Sequence, residues 1–244
     1  MAEAVQGRLA KIKVFGIGGA GNNVVNRMME AGVTGVEFVA VNTDQQELSK
    51  SICKKKIQIG EELAGGRGAG SKPEVGMRCA LESGEALLDA MEGADLIFLT
   101  AGLGGGTGTG AIPILAELAK RAGIPTVAVV TKPFKFEGAN RMRQAEAGIA
   151  ALSGRVDSLL IIPNDQLKNV TDRKITLTNA FAIADDVMKQ AVTSISELVL
   201  FSEQVTVGLD HEGIAAIMKN FGWVHADAGA APREERSAEP EPVA

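Results

Sequence analysis

The run Ala101-Gly102-Leu103-Gly104-Gly105-Gly106-Thr107-Gly108-Thr109-Gly110 holds six glycines in nine residues. It lies between a strongly apolar segment and a helical pattern, so it opens a helix. A helix N-terminus without bulky side chains turns several backbone N–H groups toward one anion. Thr107 and Thr109 add hydroxyl donors. This is not a P-loop, because the lysine of G-x-x-x-x-G-K-[ST] is missing. A second glycine loop lies in VFGIGGAGNNVVNRM, where Gly16, Gly18 and Gly21 fit G-x-G-x-x-G. That spacing gives a tight turn, close backbone approach and a helix start aimed at phosphate. Alone, it leaves two readings open. One is a nicotinamide dinucleotide site, with Asp44 at the end of the next strand as the ribose partner. The other is a glycine turn with no ligand. The Ala101–Gly110 run speaks against a bare turn, since so much glycine is costly in backbone entropy.

The elements that must position these loops are legible in the apolar pattern. Strands are expected at Ile12–Ile17, Val36–Val41, Asp95–Thr100, Thr126–Val130 and Ser158–Ile162, with a weaker one at Lys56–Ile59. Most are continuous Val/Ile/Leu runs, as in strands buried on both faces. Helices are expected between them at Gly21–Ala31, Pro73–Met91, Gly108–Ala122 and Glu137–Ser153. Repeated β-α-β units give an α/β fold, a parallel Rossmann-like sheet with helices on both faces. Ligands of such sheets bind beyond the carboxyl ends of the strands. The glycine loops follow two of those ends. A long helix is expected from about Leu177 to Leu200, with Phe181, Ala184, Met188, Ala191, Ile195 and Leu198 as its apolar stripe. A loop at Phe201–Gly208 and a short helix near Glu212–Asn220 follow. From Ala226 the composition turns polar and proline-rich, and a disordered tail is expected there.

Composition narrows the function class. The chain has 244 residues, a net charge of -5, 45% apolar residues and no tyrosine. Its 29 glycines are set against eight Phe and one Trp, which disfavours an aromatic stacking platform for RNA or sugars. The negative balance argues against a nucleic-acid partner. No apolar run is long enough for a membrane span, and no secretory signal is visible at the start. Cys53 and Cys79 form no CxxC pair, so neither a disulfide framework nor a cysteine-built metal site is expected. A reducing, cytoplasmic location follows from that reading.

GGGTGTG resembles the signature loop of the tubulin/FtsZ superfamily. The likeness continues through IKVFGIGGAGNNVVNRM, EFVAVNTDQQEL, GAGSKPEVG, KPFKFEG, IIPNDQL and AFAIADDV, in the family's order, over about residues 10–220. It implies a GTP-binding domain at residues 11–175 after an N-terminal extension at 1–10. A central helix, loop and short helix would occupy 176–225, before the tail at 226–244. By the same resemblance, Gly19, Ala20, Gly21, Asn22 and Asn23 form a first phosphate loop. Gly105, Gly106, Thr107 and Gly108 hold the α- and β-phosphates, and Ala69, Gly70 and Ser71 sense the γ-phosphate. Glu137 and Arg141 contact ribose and phosphates, while Asn164, Phe181 and Asp185 make the guanine pocket. The chemistry agrees. A carboxylate at Asp185 can accept from the N1–H and 2-amino group that separate guanine from adenine. Phe181, one helical turn earlier, can stack on the base. GTP or GDP is the implied ligand, with Mg²⁺ accompanying GTP and no metal site built from protein side chains alone.

Two departures from the family pattern stand out. The family has a second domain of about a hundred residues, and the short, polar stretch after Met218 is not expected to supply it. The family's acidic N-x-D-F-A-D loop, which reaches the next subunit's nucleotide, is replaced by Val205-Thr206-Val207-Gly208-Leu209-Asp210-His211-Glu212-Gly213. Asp210 and Glu212 are the candidate water-positioning acids. Asp210 as a helix cap is the competing reading, and His211 is a weaker candidate base. Lys54-Lys55-Lys56 reads as a solvated sheet edge, and Phe221 with Trp223 as a cover for the core. The resemblance implies a GTPase that assembles head to tail with itself, with weak hydrolysis if the altered loop fails. The alternative is a non-polymerising nucleotide-binding module that regulates a full-length FtsZ.

Overall fold

The computed structural model describes residues 10–169, 176 and 179–205. A six-stranded sheet carries the fold: β1 (Ile12–Ile17), β2 (Val36–Asn42), β3 (Lys55–Gln58), β4 (Leu96–Gly102), β5 (Thr126–Lys132) and β6 (Ser158–Pro163). Its strands pair in parallel, in the spatial order β3-β2-β1-β4-β5-β6. The order reverses direction between β1 and β4, the switch point at which two loops diverge and leave a crevice. The α-helices among the described residues are α1 (Gly18–Glu30), α2 (Gln45–Lys50), α3 (Glu61–Ala64), α4 (Pro73–Glu82), α5 (Gly84–Met91), α6 (Thr107–Arg121), α7 (Ala139–Leu152) and α8 (Ala180–Val205).

The central strands β1, β4 and β5 are buried on both faces, while the edge strand β3 is only partly covered, and alternate residues serve different cores. Val14, Ala40, Phe98 and Val129 face one cluster, covered by Val24, Val25 and Met28 of α1 and by Ala184, Met188 and Val192 of α8. Phe15, Val41, Leu99 and Val130 face the other, covered by Cys79, Leu87, Ile112, Leu115 and Ala145 from α4–α7. This is the three-layer sandwich that continuous apolar strands require.

Differences from the expected elements have local causes. The expected Pro73–Met91 helix is broken at Ser83, whose backbone leaves helical geometry and whose hydroxyl accepts the Gly60 N–H at 3.0 Å. α2 and α3 were not expected. Asp44 caps α2, its Oδ1 accepting from Gln46 N at 2.9 Å and Glu47 N at 3.1 Å. Its carboxylate is thereby engaged in capping, which removes the ribose role that a dinucleotide reading needs. The long helix extends to Val205, so the loop expected from Phe201 does not begin there. Lys54–Lys56 do lie at the sheet edge, leading into the outermost strand β3. The expected N-terminal extension, the short helix near Glu212–Asn220, the tail, Phe221, Trp223, Asp210, His211 and Glu212 lie outside the described residues.

Candidate functional site

The crevice at the switch point is a cavity of about 330 Å³. The starts of α1 and α6 converge on it from neighbouring strands. Ile17, Gly18, Gly19 and Ala20 line it from the β1–α1 turn, and Gly102, Gly105, Gly106, Thr107 and Gly108 from the β4–α6 turn. Neither helix has a side-chain cap or an acidic residue in its first turn. Two sets of N-terminal N–H groups and two positive dipole ends therefore meet without an internal acceptor. An anion is the group such a place accommodates.

Close backbone packing makes the convergence possible. Gly18 sits at φ +71, and a Cβ there would lie 3.0 Å from the Gly108 nitrogen. A Cβ on Gly106 would lie 2.7 Å from the Ala69 Cβ and 2.9 Å from the Lys72 nitrogen. Gly16 and Gly21 serve helix–strand packing. A side chain on Gly21 would collide with the Thr100 carbonyl oxygen, and one on Gly16 with the Gly21 carbonyl.

The hydroxyls of the second loop hold the loop itself. Thr109 is buried, and its Oγ1 accepts the Gly104 N–H at 2.8 Å. Thr109 supports the loop and, unlike Thr107, does not line the cavity where an anion donor was expected. Thr107 Oγ1 shares a 2.6 Å hydrogen bond with Thr43 Oγ1. Asn22 is likewise turned inward: its Nδ2 donates to Gly16 O at 2.7 Å and its Oδ1 accepts from Asn42 at 2.9 Å. Of the first loop, Gly19 and Ala20 line the cavity, Gly21 and Asn22 sit behind it, and Asn23 hydrogen-bonds Asp185. Ala69, Gly70 and Ser71 do not line the cavity. They lie beside the start of α6, with Ser71 at φ 59 and its carbonyl accepting from Gln144 Nε2 at 3.2 Å.

The other wall collects the side chains. Glu137, Arg141, Asn164, Phe181 and Asp185 all line the cavity, from the segment after β5, from α7, from the end of β6 and from α8. Glu137 is fixed at both oxygens, accepting from Phe134 N at 2.9 Å and from Arg141 Nη1 at 2.7 Å. Asn164 is 5% exposed, and its Oδ1 finds no donor among the described residues. Asp185 is 6% exposed. Burial pushes its carboxyl up to about 6, against the pull of Arg27 and the Asn23 hydrogen bond. Phe181 is 50% exposed and stands edge-on to Phe134 at 5.7 Å and Phe136 at 6.2 Å. Three of the eight Phe thus gather at one rim. Phe134 and Phe136 were not expected there from the sequence, nor were the lining residues Thr131, Pro133 and Ala184, whereas Gly18 and Leu103 belong to the two glycine loops already singled out. The signal most of them share is position, at or just beyond the carboxyl end of a strand.

A wider depression of about 660 Å³ is lined by Val33, Thr34, Lys189 and Glu197 among others, and only one helix end, that of α1, borders it. Among the described residues no group of three or more His, Cys, Asp or Glu could hold a metal, and no helix is long and apolar enough to cross a membrane.

Known proteins share this arrangement. Residues 11–172 match the family model for the Tubulin/FtsZ family, GTPase domain. An empty FtsZ dimer from M. jannaschii superposes with a TM-score of 0.78 at 42% identity, covering 87% of this chain and 61% of that one. A GDP-bound CetZ1 monomer from Haloferax volcanii gives 0.68 at 25% identity, over 86% of this chain and 64% of that one. A GTPγS-bound CetZ2 protofilament from the same organism, at 24% identity and 0.69 over 86% and 63%, shares the fold. The chain thus spans about three fifths of the length of these structures. The family match over most of the sheet and both glycine loops shows that this chain belongs to the Tubulin/FtsZ family.

Proposed function

We propose that the chain binds GTP and GDP in the switch-point cavity and assembles head to tail with copies of itself, hydrolysing GTP slowly between subunits. The observation that carries the reading is the pairing of two uncapped helix starts with Asn164, Phe181 and Asp185 around one cavity. Phosphates fit the helix starts, where backbone N–H groups of Gly19, Ala20 and Gly105–Gly108 supply the donors. Asp185 accepts from the guanine N1–H and 2-amino group, two donors that adenine lacks at those positions. Asn164 Oδ1, an acceptor without a donor among the described residues, suits the same edge. Phe181 supplies the stacking face, buttressed by Phe134 and Phe136. Glu137 is locked beside Arg141 where a ribose would rest. Mg²⁺ accompanying GTP would supply charge neutralisation for the phosphates, and among the described residues no side-chain cluster is built to hold it independently of the nucleotide.

The length of α8 favours hydrolysis in trans. From Asp185 at the cavity, α8 runs to Val205, and 20 residues of helix span about 30 Å. Asp210 and Glu212 follow Val205 by only five and seven residues, at most roughly 17 and 24 Å of extended chain. α8 thus carries the chain away from the cavity of its own subunit before Asp210 and Glu212 are reached. An acid acting on the nucleotide would come from the next copy, a heterologous contact that builds open filaments. The crystallised M. jannaschii relative is described as a dimer. The test is turnover against protein concentration, paired with electron microscopy in GTP and in GDP. Specific activity that rises with concentration and filaments that need GTP support the reading. GTP binding with no assembly favours the regulatory-module alternative.

A further inference from the structure

We propose that Arg27 is a specificity-determining positioning residue: anchored by Asp186, it holds the Asp185 carboxylate charged and aimed at the nucleotide base. The inference rests on the guanine reading of the cavity. Arg27 does not itself line the cavity; it sits on the last turn of α1, the helix packed beside α8. Its Nη1 donates to Asp186 Oδ1 at 3.1 Å, and its Nε lies 3.8 Å from Asp185 Oδ2. Two contacts from one planar guanidinium to adjacent carboxylates fix its plane, which a lysine's single ammonium cannot do as well.

The need for such a cation comes from burial. Asp185 is nearly enclosed, and a carboxyl removed from water prefers to keep its proton. A protonated carboxyl would present one donor where guanine itself offers two donors, so base reading would fail. The charged groups beside Asp185 are Arg27 from α1 and Asp186 from its own helix, with Lys189 beyond at 3.7 Å from Asp186, and Glu137 and Arg141, paired with each other, share the cavity lining. Asn23 from α1 adds a neutral hydrogen bond, and Asn164 from the end of β6 shares the cavity without a charge. Burial is the largest influence and Asp186 adds to it, so Arg27 is the cation that works against both and limits the rise. Lys189 in turn gives Asp186 a second partner.

The experiment uses the full chain and the ratio of GTP to ATP affinity from pH 5.5 to 8, in which the titration of the phosphates cancels. Arg27→Gln removes the charge and keeps a hydrogen-bonding side chain; Arg27→Lys returns the charge. Loss of a neighbouring cation moves a carboxyl midpoint upward by about one pH unit or more. With the wild-type midpoint near 6, Arg27→Gln should lower the GTP/ATP ratio about fivefold at pH 6 and hardly at all at pH 8, with ATP affinity unchanged. Arg27→Lys should restore most of the wild-type profile. A uniform loss for both nucleotides at every pH would mean a structural role and overturn the proposal. So would an Arg27→Gln profile that superposes on wild type. A wild type that shows no preference for GTP would overturn the guanine reading and this proposal together, and that outcome is visible before any variant is made. If Arg27→Gln fails to fold, Arg27→Met takes its place: a pH-dependent loss of the GTP/ATP ratio supports the proposal, and a uniform loss or an unchanged profile overturns it.

Discussion

Replacing Asp185 by asparagine should make the empty protein more stable while damaging its ability to read guanine. The ordinary aspartate value is 3.8, and burial raises Asp185 to about 6 in the fold. The fold therefore binds this proton more tightly than the unfolded chain does. Stability from that proton is fully present below about pH 4 and is lost as pH rises through about 6. The difference of roughly two pH units corresponds to about 3 kcal/mol of destabilisation at pH 8. Asparagine has no charge to desolvate, and Arg27 keeps Asp186 as its partner. Nucleotide-free Asp185→Asn should thus melt several degrees above wild type at pH 8, roughly 6–12 °C for a chain of this size. The gap should shrink steadily between pH 6 and pH 4. With GTP the order reverses. An amide presents one acceptor and one donor to two guanine donors, and losing a charge-assisted bond costs about 1.5–3 kcal/mol before any clash. GTP affinity should fall by at least about tenfold. Differential scanning fluorimetry across pH, with and without GTP, reads both effects. Equal melting temperatures at pH 8, or a gap that does not change with pH, would refute the burial argument.

Gly105→Ala meets no protein atom within 4 Å of its new methyl, so the fold should persist while the nucleotide's phosphates lose room; nucleotide titration should show at least a tenfold weaker affinity at an unchanged melting temperature. Gly110→Ala is the opposite case, because the methyl would strike the Pro73 carbonyl where α4 packs on α6; overpacking there should cost about 1–3 kcal/mol or more in chemical denaturation. Phe181→Ala removes a half-exposed ring, so GTP affinity should fall by about 1–3 kcal/mol, the usual worth of base stacking, with little loss of stability. Asp210→Ala and Glu212→Ala should slow turnover by about 10²–10⁴-fold while leaving GTP affinity intact, measured by phosphate release and nucleotide titration.

The strands were legible because burial on both faces leaves long apolar runs, and β1 has the bounds its apolar run predicts. Helix α6 and its glycine start were legible for a related reason: only glycine lets Gly106 pass so close to Ala69 and Lys72. The break at Ser83 was not, since it depends on a tertiary hydrogen bond from Gly60. α2 is hidden because six residues show too little period, and Asp44, its cap, looks equally like a ligand for a ribose. A serine, threonine or asparagine gives its type to the sequence and its partner only to the fold. Thr109 and Asn22 both suit an anion by type and place in the chain, and both turn to internal partners instead. Glu137, Arg141, Asn164, Phe181 and Asp185 come from four separate segments and converge on one cavity. Glu137 with Arg141 and Phe181 with Asp185 are each spaced as one helical turn, but no spacing rule links the four segments, and only likeness to a family picks them out together. The chain has too few aromatics for a broad stacking surface, yet three phenylalanines concentrate at the rim.

On this reading the cavity at the switch point selects guanine nucleotides. Isothermal titration of nucleotide-stripped full chain with GTP, GDP and ATP in Mg²⁺ tests it most directly. One GTP or GDP per chain, with ATP weaker by about 10²-fold or more, is the predicted result. Equal affinity for ATP and GTP, or no binding of either, would contradict the account.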